Sequence, residues 1–209
     1  MQVRILVVGA GGHAKVLWSV AVSLGHEVVC FLDSDPSKWG STLFGVPVEP
    51  EERKSLYLEM GVWAAGVGVG SVGDASTRKR IFFELKSMGF ELPPLVSPRA
   101  YVAPDVELGE GTLVVHGAVV NPGTKVGVCA IINTCASVDH DCRIGDFVHL
   151  APGSVLSGGV VVEDEAHVGT GACVIQGVRI GRGAVVGAGA TVVCDLPPGV
   201  VAKGVPARW

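Results

Sequence analysis

From Val96 onward every sixth residue is Val, Leu or Ile: Val96, Val102, Leu108, Val114, Val120, Val126, Ile132, Val138, Ile144, Leu150, Leu156, Val162, Val168, Val174, Ile180, Val186 and Val192. Four places after each stands a small or β-branched residue in nearly every hexad (Ala100, Thr112, Ala118, Ala130, Ala136, Ser154), and the place directly after is often Gly, Asn or Asp. Neither the 3.6-residue period of a helix nor the two-residue period of a long strand produces this spacing. A stack of very short strands joined by tight corners does. The aliphatic residue fills the interior, the small residue fits beside it, and the Gly or Asn directly after is expected to supply the positive φ of the corner. Three hexads close one triangular coil of about 18 residues, so the run from Val96 to Pro197 predicts between five and six coils of a parallel β-helix without insertion.

The first half of the chain follows another rule. An apolar run at residues 2–8 (QVRILVV) leads into glycines, and HAKVLWSVAVSLG then carries apolar residues at helical spacing until Gly25, where a helix should stop. Residues 27–32 read as a second strand, and a loop holding Asp35 and Pro36 follows. A helix is predicted near residues 50–60, a third strand in VWAAGVGV, and a last helix in DASTRKRIFFELKSMG, ending at Gly89. This is a small Rossmann-like β-α-β unit with a parallel sheet. Pro93 and Pro94 mark the change of pattern and divide the chain into residues 1–93 and 94–209.

Composition narrows the function classes. A formal charge of -4 does not suggest nucleic-acid binding. No charged n-region, apolar h-region and cleavage site opens the chain, and no unbroken apolar stretch reaches about 20 residues, so a soluble, cytoplasmic protein with no membrane partner is expected. The six cysteines form no C-x-x-C pair and no zinc-like spacing with histidine, which predicts reduced structural thiols and no metal site.

Gly9-Ala10-Gly11-Gly12-His13-Ala14 follows the first strand and fits G-x-G-x-x-[GA], with Asp33 about twenty residues on. A dinucleotide site needs two mononucleotide halves, and the chain supplies one before the six-residue repeat begins. Half a cradle suits one nucleotide, with backbone N–H groups and a helix N-terminus aimed at phosphate or another polar group.

The hexapeptide pattern resembles the left-handed β-helix acyltransferases. Taken with GAGGHA, FLDS, VGVGSVGD, NTCASVDHDCRIGDFVHLAPG and the closing GVPARW, the whole chain is similar to the bacterial nucleotide-sugar 4-amino N-acetyltransferases and the sialic acid O-acetyltransferases. The resemblance implies acetyl-CoA as co-substrate, a homotrimer and a role in surface glycan biosynthesis. It also implies transfer of acetyl to the amine of a nucleotide-linked 4-amino-4,6-dideoxy sugar; O-acetylation of sialic acid or a related sugar hydroxyl is the alternative. It assigns His140 as general base, Asp141 as the acid that orients it, and His149, Gly158, Thr170 and Ala188 to the cofactor, Gly158 through its N–H. Gly11, Gly12, His13, Asp33, Ser34 and Gly70 fall at positions that hold the nucleotide sugar.

Several of these placements can be weighed by register. His149 and His167 are one coil apart and should stack along the same edge, so His167 could flank the same channel. His140 and His149 are half a coil apart and should face opposite sides of one prism, which argues for sites built between subunits. Asp141 can reach His140 only if a corner falls between them, because neighbours on a regular strand point to opposite faces. Lys203 and Arg208 come together near the last coil, either to meet the phosphates of coenzyme A or to cap the solenoid. His26 and His116 carry no functional signal. A β-helix carbonic anhydrase would need three histidines on one zinc, and only His149 and His167 share a register.

Overall fold

The computed structural model describes residues 2–209. Its N-terminal unit is a five-stranded sheet in the order β3-β4-β2-β1-β5, with β1 Arg4–Val8, β2 Glu27–Asp33, β3 Thr42–Leu43, β4 Val46–Pro50 and β5 Ala64–Val67. The pairs β1–β2, β1–β5 and β2–β4 are parallel. Helices α1 (Gly12–Ser23), α2 (Lys54–Glu59) and α3 (Ser76–Met88) connect the strands. Gly25 and Gly89 adopt positive φ just beyond α1 and α3, as the stop signals predict.

The hairpin β3–β4 lies where only a loop was expected. Its turn is Phe44-Gly45, both with positive φ, which is the requirement of a type I′ turn. Phe usually avoids that conformation. Here its ring stacks on Trp18 of α1, with centroids 4.0 Å apart and planes 15° from parallel, and that contact offsets the backbone cost.

From Leu95 the chain winds as a triangular prism of two-residue strands in three parallel sheets. The first face stacks seven strands from Leu95–Val96 to Val201–Ala202, including Ile131–Ile132, His149–Leu150 and His167–Val168. The second stacks six, including Ser137–Val138 and Val155–Leu156, and the third stacks five, including Lys125–Val126 and Arg143–Ile144. Successive coils pair with an offset of 18 residues, as in His149↔His167 and Ser137↔Val155, and only the closing pairs, Val185↔Val201 and Ile180↔Leu196, shorten it to 16. The hexad aliphatics and the small residues four places on form one continuous core.

The corners correct one expectation. Positive φ falls three residues after the aliphatic, at Gly111, Gly117, Gly123, Cys129, Cys135, Asp141, Phe147 and onward, and not at the residue directly after it. That nearer glycine serves a different need. A Cβ on Gly109 would sit 2.5 Å from the carbonyl carbon of Gly127 in the next coil, so its bare backbone lets the coils stack in contact.

Outward residues of the first face are covered by the N-terminal unit: Leu95, Leu113 and Val115 pack with Leu17, Val20 and Ala21 of α1. His116 bridges the same joint, with Nε2 2.9 Å from Ser19 Oγ on α1 and Nδ1 2.6 Å from Ser97 Oγ. A histidine with no functional signal in the sequence is a latch between the two units. On the other side Phe82 of α3 meets Phe147 edge to face at 5.5 Å. Among the described residues no helix is long and apolar enough to cross a membrane.

Candidate active site

Gly9 opens the glycine turn with φ +111°, and a Cβ there would meet Val69 and Gly68 at 2.8–2.9 Å, so both conformation and space call for glycine. Ala14, fully buried, fills the third fingerprint position against Gly68. Asp33 ties the turn down. Its carboxylate accepts the Ala10 N–H at 2.8 Å, the Asp35 N–H at 2.9 Å and the Lys38 ammonium at 2.9 Å. Burial alone would raise its pKa; the Asp35 N–H, Lys38 and the Ala10 N–H together outweigh burial and hold the group below its ordinary value. Asp33 thus spends its oxygens on the loop, and it lines with Ser34, Glu51, Thr77 and Arg80 a pocket of about 140 Å³ at the strand ends.

Gly12, His13 and Gly70 converge with Val16, Ser71, Val72, Asn133 and His149 around an open recess of about 400 Å³ between the two units. Three of the expected sugar-binding residues and the expected cofactor contact His149 therefore line one recess, whereas Asp33 and Ser34 line the separate pocket at the strand ends. Gly11 stands directly before α1 and Gly12, with no side chain capping the helix.

The recess histidines are neutral. Burial drives His13 down to about 3, helped by His149 and Arg78. Burial likewise drives His149 to about 4, against the opposing Ser71 carbonyl and with repulsion from His167 and Arg78. His149 Nδ1 donates to the Ser71 carbonyl at 2.7 Å, which fixes the tautomer, and Nε2 then accepts from Asn133 Nδ2 at 3.1 Å. Both polar atoms are engaged within the chain, and what remains for a ligand is the edge of the ring. His167 meets that ring at 5.0 Å, tilted 73°, on the flat first face and not along an edge.

His140 lies on the corner between the second and third faces, the prism edge opposite the first face. Asp139 Oδ1 accepts the His140 N–H at 2.8 Å and holds the backbone, while Asp141 takes φ +59°. The corner required for the pairing exists, and His140 Nδ1 lies 2.8 Å from Asp141 Oδ2. That hydrogen bond, then the Asp139 charge, raise the His140 pKa. The side chain is 62% exposed, and among the described residues no hydrogen bond engages Nε2.

Gly158 follows His140 by one coil and sits directly against it: a Cβ there would be 2.6 Å from both Cε1 and Nε2 of the imidazole. The ring is seated on bare backbone, and among the described residues no acceptor takes the Gly158 N–H. Thr170 and Ala188 are exposed one coil apart on the corner between the first and second faces, where Gly189 N–H donates to the Thr170 carbonyl at 2.8 Å. Lys203 and Arg208 do come together, through two backbone hydrogen bonds of 2.9 Å. A groove of about 540 Å³ on the third face is lined by Lys125, paired with Glu107, by Arg182, paired with Asp164, and by Arg143, which donates to the Gly123 carbonyl at 3.1 Å.

Residues 4–85 match the PglD N-terminal domain. Over its full length the chain is similar to PerB from Caulobacter crescentus, solved in complex with CoA and GDP-perosamine. The identity is 41%, the match covers 98% of this chain and 95% of that one, and the TM-score is 0.91. The chain belongs to the left-handed β-helix sugar N-acetyltransferases. Other members of the family agree. The acetyltransferase domain of PglB from Neisseria gonorrhoeae is 37% identical over 98% of both chains, with a TM-score of 0.89, and was also solved with acetyl coenzyme A. GDP-perosamine N-acetyltransferase from Escherichia coli O157:H7 is 34% identical over 94 residues, a segment spanning 42% of that protein.

Ser71, Asn133 and Arg78 were not singled out in the sequence. Ser71 sits in a loop and Asn133 at a corner, where neither period marks a function. The stacking of Gly158 on His140 had a signal, since the two differ by one coil.

Proposed function

We propose that the chain transfers the acetyl group of acetyl-CoA to the amine of a nucleotide-linked 4-amino-4,6-dideoxy sugar. The observation that carries this is the His140 constellation: Nδ1 held by Asp141 at 2.8 Å, and Nε2 poised over the unencumbered backbone of Gly158. The amine nitrogen attacks the thioester carbonyl, and its proton passes to His140 Nε2. A C–N bond forms and the C–S bond breaks. The Gly158 N–H faces the developing oxyanion, and coenzyme A leaves as the thiol with a proton returned by His140. No acyl-enzyme is required. The glycine turn and the recess beside His13 and Gly70 hold the nucleotide sugar, while His149, Thr170 and Ala188 border the path of the acetyl donor.

The recess lies on the first face and His140 on the opposite edge, so one chain does not assemble the whole site. A homotrimer in which the recess of one subunit meets the His140 edge of the next completes it. Light scattering tests the assembly. Mixing inactive His140→Ala and His13→Ala subunits should restore part of the activity, and no recovery after subunit exchange refutes a shared site.

A panel of UDP-, GDP- and dTDP-linked 4-amino sugars with acetyl-CoA, followed by thiol release, tests the reaction. The GDP-linked substrate comes first, because relatives are named for GDP-perosamine. Turnover with an amino sugar and its loss by about 10²-fold or more in His140→Ala support the reading. Turnover confined to a sialic acid hydroxyl overturns it.

A further inference from the structure

Arg78, on α3, is 1% exposed at the joint between the two units. Its Nη2 donates to the Phe147 carbonyl on the β-helix, while Nε and Nη1 have no partner. No carboxylate neutralises it among the described residues. The one acidic group facing it is the Cys129 thiol, which burial pushes up to about 11 and so keeps neutral. Arg78 also borders a narrow, partly enclosed cavity of about 10 Å³ with His13, Thr112, Cys129 and Ile131, room for one occupant of water or halide size. The Thr112 hydroxyl donates elsewhere, to the Gly127 carbonyl at 2.8 Å. His13 lines both this cavity and the open recess.

A buried guanidinium with two free N–H groups and no counter-charge is a costly arrangement. A water would satisfy the N–H groups and leave the charge. An anion satisfies both. We propose that this cavity is a site for one small monovalent anion of halide size, gripped by Nε–H and Nη1–H of Arg78 behind the glycine turn. The anion fastens α3 to the β-helix and backs the His13 wall of the recess. This site is independent of the acetyl-transfer reading.

Thermal melts of the intact protein at constant ionic strength in sodium chloride, sodium bromide and sodium gluconate test the proposal. The melting temperature should rise by several degrees in the halides and saturate with concentration. Crystals grown in bromide should show an anomalous peak in the cavity beside Arg78. Arg78→Met should lose the halide response; should that variant not fold, the bromide crystals of the native protein decide. Equal melting in chloride and gluconate with no peak in the cavity, or peaks only on the surface, overturns the site.

Discussion

Replacing Gly158 by Ala probes the seating of His140 with a single methyl group. The new Cβ would lie 2.6 Å from Cε1 and Nε2, where ordinary contact begins near 3.4 Å. The ring must therefore retreat by roughly 1 Å, a misplacement that can cost on the order of 10²-fold in rate. The corner itself tolerates the change, because Gly158 is not in the left-handed region, and the ring it meets is an exposed side chain that can shift without disturbing the core. The expected outcome is a 10- to 100-fold fall in kcat, on the order of 1.4–2.7 kcal/mol, with the melting temperature within a few degrees of native. Thiol release under saturating acetyl-CoA and amino sugar measures it. A double-mutant cycle isolates the cause: in a His140→Ala background, Gly158→Ala should cost almost nothing further. A native kcat in the single variant, or the same loss with and without His140, refutes the seating of the base by Gly158.

Asp141→Asn removes the leading cause of the raised His140 pKa. The base must be neutral to accept a proton, so kcat/KM falls as pH drops through that pKa, and the variant's acid limb should move to lower pH, toward the ordinary value near 6.5. An unmoved or raised inflection in the pH profile contradicts the pairing. Gly109→Ala should destabilise by about 2–3 kcal/mol in urea unfolding, because its Cβ meets fixed backbone of the next coil. Gly177→Ala, at φ +70° with open space around it, should cost only the left-handed penalty of about 1–2 kcal/mol. Equal losses at the two glycines would erase the distinction between stacking and corner positions. His116→Ala leaves Ser19 and Ser97 without their shared partner and should lower stability by about 1–2 kcal/mol with kcat preserved; a kcat loss without a stability loss would place His116 in the site.

The β-helix was readable because its core is periodic: an aliphatic every six residues has one economical solution, and the half-coil offset of His140 and His149 translated directly into an edge and the face opposite it. The role of each glycine was less accessible. Position in the hexad shows where a side chain is missing, but whether φ or a neighbouring backbone excludes it depends on how coils stack, and so Gly109 was assigned to the wrong cause. The hairpin at Phe44-Gly45 escaped because its turn lacks the usual Asn-Gly and relies on Trp18, which is remote in sequence. Arg78 stands in a run of basic residues, TRKR, that reads as a solvated helix face. Only packing of α3 on the β-helix makes it internal, and no local pattern announces that. The convergence of His13, Gly70 and His149 is likewise a property of how two units with different periodicities dock.

The offset of 18 residues between paired strands, kept in every coil as far as the pair of Cys173 with Thr191, also limits how such a chain can change its length. An insertion of six residues after Ile144, between His140 and Gly158, would rotate every downstream position by a third of a turn relative to His140, carrying Gly158 off the edge that bears the base and onto the next. Only whole-coil additions preserve the angular address of each side chain. Growth beyond Thr170 is freer, since a coil added there lengthens the rod without re-aiming the two residues that form the base and its seat.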